Sequence, residues 1–251
     1  MILKSNRILI LTHLSIDHDA VCSTLLLRHI LKKFFEKNNV DIVVQESHWP
    51  QFESLNLPGI SRIKNISAST SLDLSNYNLI FIVDVNRIER CLHNSKLQDN
   101  YLENLIIIDH HDSLTDRQAA VYINDGYSSA VEQIYLTFKD LTGRSFIPDK
   151  QISQLTQIGM IADTNCFLYD KVSKKTYQIM SEIVDLYNLN REILMKQLIG
   201  TEKNSALVLG NILDHLYFRN DMAYSYLSPH FTSRKKLTPE EITGGTGIFL
   251  Q

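Results

Sequence analysis

Apolar residues along the first half of the chain fall into two rhythms that take turns. Ile8-Leu9-Ile10-Leu11, Leu79-Ile80-Phe81-Ile82-Val83 and Leu105-Ile106-Ile107-Ile108 are continuous runs, and Val40 to Gln45 is nearly so. Runs of this kind predict strands buried on both faces, as in a parallel sheet covered by helices. Ala120 to Ile123 predicts an added edge strand. Between them the rhythm becomes helical: Val21, Leu25, Ile30 and Phe34 predict a helix over Ala20 to Lys37, which Asn38-Asn39 break. Ser128 to Leu141, closed by Thr142-Gly143, predicts another. Asp149 to Ala162 predicts a third, with Ile152, Leu155, Ile158 and Ile161 recurring on one face.

Trp49 to Ser75, with Pro58-Gly59 and several serines and asparagines, reads as loop with short elements. Lys174 to Leu189, Arg191 to Ile199 and Thr201 to Tyr217 read as further helices, and Met222 to Leu227 as a strand opening a small second module. The strand, loop, helix order predicts an α/β fold, an open mostly parallel sheet with helices on both faces. Chemistry is then expected at the C-terminal edge of the sheet.

Composition changes this picture little. With 251 residues, 44% hydrophobic and 21% charged, the chain can bury a core. No apolar run approaches the roughly 20 residues of a membrane helix, and the N-terminus does not read as a signal peptide, so a cytoplasmic protein without membrane partners is expected. Cys22, Cys91 and Cys166 form no CxxC pair, which argues against a disulfide framework or a thiolate zinc site. A net charge of -3 gives no overall attraction to nucleic acid, so an anionic substrate needs a local cation.

Local chemistry is where the sequence speaks. Four places put acids or histidines where an element ends: His13, Asp17 and Asp19 after the first strand, Asp84 after the third apolar run, Asp109, His110 and His111 after the fourth, and Asp163 at the end of a helix. So many carboxylates at one sheet edge repel unless cations sit among them. Carboxylate and imidazole without thiolate favour manganese or magnesium, with cobalt, iron or catalytic zinc left open. Two such ions about 3.5 to 4 Å apart can activate water and clamp a phosphoryl oxygen.

His13-x-x-x-Asp17-x-Asp19-Ala20, a strand ending in Asp84 with Arg90 soon after, Asp109-His110-His111 and Asp163-Thr164 resemble the ordered motifs of the DHH phosphoesterases over about residues 7 to 167. Length and helical linker are similar to the small oligoribonuclease and phosphoadenosine-phosphate phosphatase branch related to RecJ nucleases. The resemblance implies one ion held by His13, Asp17 and Asp84. It implies a second held by Asp19, Asp84, His110 and Asp163, with Asp84 as the bridge. It further implies His111 as a donor or general acid facing the phosphate, Asp109 as its support or that of His110, and Arg90 as extra positive charge. A catalytic domain is expected over residues 1–188, a helical linker over 189–217, and a partial or shortened substrate-binding module over 218–251.

Two divalent ions, most simply manganese, and a short RNA or nucleotide substrate follow from the resemblance, which leaves a homodimer open. A cyclic or linear dinucleotide phosphodiesterase is the alternative enzyme, pyrophosphatase a third, and a nucleotide-binding regulatory module the non-enzyme alternative. Three departures from the family pattern stand out. Ile16 replaces a proline and should soften its loop. Asn165 replaces a glycine, and asparagine tolerates left-handed backbone. Gly244 to Gln251 holds no convincing copy of the glycine-rich, histidine-bearing C-terminal motif. The remaining histidines and Cys166 read as packing or surface residues. The same holds for Arg234-Lys235-Lys236, a solvated turn, and for Trp49 and Phe52, whose alternative use is base stacking.

Overall fold

A computed structural model describes residues 1–45, 56–93, 95–96, 101–111, 119–190, 194, 203–239, 242 and 246. The chain divides into two compact units, Met1–Leu189 and Asn190–Gln251.

The first unit is built on a six-stranded sheet. Its strands are β1 (Ile8–Leu11), β2 (Val40–Val44), β3 (Ile63–Asn65), β4 (Leu79–Val83), β5 (Leu105–Ile108) and β6 (Val121–Ile123). They lie in the order β3-β2-β1-β4-β5-β6, and every pairing is parallel. The central strands β1, β4 and β5 are buried at every residue, as their unbroken apolar runs require. Because side chains alternate, the two sheet faces carry different partners. One set, including Leu9, Leu11, Ile80, Ile82, Leu105 and Ile107, packs with Leu74, Val85, Ile88, Cys91 and Leu92 from short 3-10 turns and their flanks. Against the sheet also lie α1 (His18–Phe35), α2 (Ala130–Thr142) and α3 (Lys150–Asp163), which contact one another extensively.

β3 was not expected. It lies at the sheet edge, and only Ile63 of its three residues is buried, so no apolar run announces it. The expected helix from Lys174 ends early: α4 spans Lys174–Ile183, followed by a 3-10 turn at Val184–Leu186. Apart from Leu194 and Thr246, the expected helix over 191–199 and the tail over 244–251 lie outside the described residues, as do Trp49 and Phe52.

The second unit contains α5 (Lys203–Asp214), an antiparallel hairpin of β7 (Tyr217–Arg219) and β8 (Met222–Tyr224), and α6 (Pro229–Lys235). Tyr217 was expected to close a helix and instead begins a strand. Asn220, with a φ of 53°, supplies the left-handed turn residue, and Tyr217 stacks on Tyr224 across the hairpin at 5.6 Å. Ser228 accepts from Phe231 N at 3.1 Å and Pro229 opens α6, so Arg234 and Lys235 form a helical last turn. Among the described residues no helix is long and apolar enough to cross a membrane.

Candidate active site

Each candidate residue reaches the C-terminal edge of the sheet by a separate local device. Thr12 Oγ1 donates to the Val83 carbonyl at 2.9 Å, tying the ends of β1 and β4 together just before His13 and Asp84. Asp17 is the N-cap of α1 and accepts from Ala20 N at 2.9 Å. Asp19, in the first turn of α1, accepts from Ala130 N at 2.6 Å and Val131 N at 3.2 Å, so its carboxylate faces the positive end of α2. Ile16, expected to soften this loop, is 4% exposed and anchors it by burial.

Asp84 follows β4 in left-handed backbone, φ 61°, while its N–H still donates to the Ile108 carbonyl at 2.9 Å. Left-handed conformation is costly for a residue with a Cβ and collects at functional sites. Asp109 N continues the ladder to the Ile123 carbonyl at 3.0 Å, which fixes where His110 and His111 emerge. Asp163 is the last residue of α3. One turn earlier, a Cβ added at Gly159 would meet Val131 Cγ1 at 2.7 Å and Asp19 Oδ1 at 2.8 Å, so α3 reaches the site only because residue 159 has no side chain.

These devices bring the candidates together. His13 Nε2 lies 3.4 Å from Asp84 Oδ2, and His110 Nε2 lies 3.2 Å from Asp84 Oδ1 and 3.3 Å from Asp163 Oδ2. Three groups of metal-ligating atoms each fit within 4.8 Å: His13, Asp17 and Asp84; Asp19, His110 and Asp163; and Asp84, His110 and His111. Yet Asp84 Oδ1 and both ring nitrogens of His110 are buried and make no hydrogen bond. Buried polar atoms are ordinarily satisfied. Here Asp84 Oδ1 and His110 Nε2 lie together with Asp163 Oδ2, an arrangement that a cation fits.

The charges agree. Burial opposes ionisation of Asp84, but the neighbouring His110 and His13 hold its carboxyl below the usual carboxylate range. Burial also works against charging His110 and His13, and the carboxylates beside them outweigh it, so both imidazoles are raised. Desolvation lifts Asp163 to about 6, with His110 opposing and the Asp84 carboxylate assisting. Asp17 and Asp19 are raised by desolvation and by Asp84, Asp19 well above its ordinary value. A divalent ion competes with protons for acids crowded in this way and displaces them on binding.

His111 stands at the edge of this cluster, its Nδ1 3.9 Å from Asp84 Oδ1. It is half exposed, its Nδ1 lies 2.7 Å from Asp109 Oδ1, and that fully buried carboxylate raises it. Arg90 stands at the rim in a 3-10 turn, where its carbonyl accepts from Leu14 N at 2.8 Å and its charge pushes His13 down. His18 lies in none of the three groups and burial lowers it. Two neighbours escaped sequence reasoning. Asn124, the first polar residue after β6, donates to the His111 carbonyl at 2.8 Å, and the rule that singled out Asp84 could have found it. Lys171 donates to the His110 carbonyl at 3.0 Å, and no sequence pattern marks it.

Residues 7–161 match the DHH family, N-terminal domain. The chain is 26% identical over 237 residues to a probable bifunctional oligoribonuclease and PAP phosphatase NrnA of Streptococcus mutans, covering 94% of this chain and 71% of the relative. An exopolyphosphatase-related protein from Bacteroides fragilis superposes with a TM-score of 0.76 at 20% identity, over 100% of this chain and 74% of that one. A putative family II inorganic pyrophosphatase from Methanococcus jannaschii gives 0.52 at 15% identity, over 94% and 76%. At these identities the two solved structures speak to the fold.

Proposed function

The chain belongs to the DHH family of phosphoesterases, and on that premise we propose that it hydrolyses the phosphoester bonds of short oligoribonucleotides and of phosphoadenosine phosphate with the help of two divalent ions. One observation carries the reading: buried Asp84 and His110 each belong to two of the three ligand groups, and their ligating atoms are left without hydrogen bonds. The relative from Streptococcus mutans, named for both activities, supports this choice of substrates.

In this proposal His13, Asp17 and Asp84 hold one ion, and Asp19, Asp84, His110 and Asp163 hold the other. Manganese suits the mixed carboxylate and imidazole donors. Bound divalent ions supply Lewis acidity toward a phosphoryl oxygen and make water a competent nucleophile near neutral pH. The chain's own groups do the rest. Four ligand carboxylates roughly neutralise two divalent ions, so an incoming phosphate needs further positive charge, which Arg90 offers from the rim. His111, whose protonated form the Asp109 carboxylate favours, gives its proton to the leaving oxygen of the cleaved ester. Asp109 holds the imidazole orientation through Nδ1.

The test is a panel of dinucleotide, phosphoadenosine phosphate, cyclic dinucleotide and pyrophosphate, each assayed with manganese. Mononucleotide release from the dinucleotide and phosphate release from phosphoadenosine phosphate are expected. Asp84→Ala should lower both by about a thousandfold, the scale of losing several kcal/mol of Lewis-acid stabilisation. Full activity of Asp84→Ala, or turnover of pyrophosphate alone, would overturn the proposal.

A further inference from the structure

Beyond Asp163 the chain makes an expensive turn and then comes back to the site. Asn165, Cys166 and Phe167 have φ values of 46°, 60° and 68°, three successive left-handed residues none of which is glycine. Such backbone is unfavourable for residues with a Cβ, and it persists only where surrounding contacts over-determine it. At the α3 end the contacts centre on Thr164. Its hydroxyl accepts from Phe167 N at 2.9 Å, and its carbonyl accepts from Leu168 N at 2.9 Å and Tyr169 N at 3.2 Å. At the far end Ser173 caps α4 together with Thr176, whose hydroxyl donates to the buried Glu132 of α2 at 2.9 Å. Between these anchors, Leu168, Tyr169 and Asp170 are exposed. Half-buried Lys171 follows them, and its ammonium donates to the His110 carbonyl.

We propose that Lys171 is a positioning residue for the candidate centre: by bonding the His110 carbonyl it clamps the strained loop after α3 onto the end of β5 and so sets the separation of Asp163 from His110. The two ligand side chains stand 3.3 Å apart although they come from elements with no direct hydrogen bond between those side chains. The Lys171 bond joins the backbone of His110 to the loop that follows Asp163. This inference rests on the metal reading above for its catalytic meaning, but the clamp itself does not.

The clamp can be told from a purely electrostatic role by sign. A cation near divalent ions weakens their binding by repulsion, so deleting its charge alone tightens them. Deleting a clamp that holds two ligands in place loosens them instead.

The full chain, with Lys171→Met and Lys171→Arg, tests this in two arms. In the metal-free protein, amide hydrogen exchange over residues 163–170 should quicken about tenfold in Lys171→Met, the loss expected for a hydrogen bond from a charged donor. It should return toward the parent rate in Lys171→Arg, with α1 unchanged in both. In calorimetric titration with manganese, Lys171→Met should need about tenfold more metal, and turnover of a dinucleotide should fall in kcat with KM unchanged. Unaltered exchange overturns the clamp, as does tighter manganese binding. A raised KM at unchanged metal affinity also overturns it, since that makes Lys171 a phosphate contact. Should the parent chain bind no manganese, the metal reading fails, while the exchange arm still decides the clamp.

Discussion

Helix α3 carries an aspartate at each end, and the two could hardly be treated more differently. Asp149, the N-cap, accepts from Ile152 N at 2.9 Å and meets His29 Nε2 and Lys33 Nζ of α1, each at 2.8 Å. Burial works against its charge, but Lys33, the amide and His29 together hold its carboxyl at about 2. Asp163, at the other end, has the negative pole of the helix behind it and Asp84 and Asp17 in front, and is held at about 6. The first end is satisfied by the protein itself. The second is left wanting a cation, and the fold tolerates this because α3 is locked elsewhere. A buried carboxylate is therefore read by what completes it. Glu132, also fully buried, is completed by Ser128 and Thr176 and serves packing, whereas the centre around Asp84 and Asp163 is incomplete within the chain.

The sharpest way to break this contrast is Asp163→Asn. Manganese-supported hydrolysis should fall by about a hundredfold or more, while the metal-free protein should not be harmed. Because the folded value of Asp163 lies above its ordinary 3.8, its contribution to stability is full below that value and is lost as pH rises through about 6. The melting temperature of metal-free Asp163→Asn should thus exceed the parent's by more at pH 7.5 than at pH 5. A variant less stable than the parent at pH 7.5 would contradict the strained reading of this end.

Asp109→Asn tests the proton donor proposed next to it, His111. Without the carboxylate that raises His111, the alkaline limb of kcat should move to lower pH, with a loss of about 10- to 100-fold at pH 8. An unmoved limb would assign that proton to another group. Gly159→Ala addresses how α3 reaches the site at all. With Val131 and Asp19 on two different helices both under 3 Å from the new methyl, the change should cost about 1 to 3 kcal/mol. It should also depress activity in the surviving folded fraction, which circular dichroism melts alongside assays normalised to folded protein can separate.

Much of this centre was legible because two signals coincided. Leu79 to Val83 and Leu105 to Ile108 are unbroken apolar runs, and the polar residue that ends each must lie at the sheet's C-terminal edge, so Asp84 and Asp109 were placed by pattern alone. Asp163 was placed likewise by the period of α3. What stayed illegible had no such period. β3 is an edge strand with one buried residue, held by pairing with β2 rather than by its own sequence. The turn after Asp163 extends left-handed backbone from Asn165, where it was expected, to Cys166 and Phe167, which have no preference for it; hydrogen bonds from Phe167 N, Leu168 N and Tyr169 N to Thr164 hold it. Lys171 contacts a carbonyl sixty-one positions away, which no local pattern encodes.

At the satisfied end of α3 the smallest effect is expected. Asp149→Ala removes an N-cap, worth about 1 kcal/mol, and the partly exposed ion pairs with His29 and Lys33 add little beyond that. Since the folded value of Asp149 lies below its ordinary one, its stabilisation is present above pH 3.8 and is lost as pH falls through about 2. Parent and variant should therefore differ in urea midpoint at pH 5 to 8 and converge in acid, the reverse of the Asp163 pair, which diverges as pH rises. Activity per folded molecule should be unchanged, because Asp149 lies at the far end of α3, fourteen residues before Asp163. If Asp149→Ala instead lowered kcat in the folded protein, the two ends of the helix would be coupled, and the division between a structural and a functional aspartate would have to be abandoned.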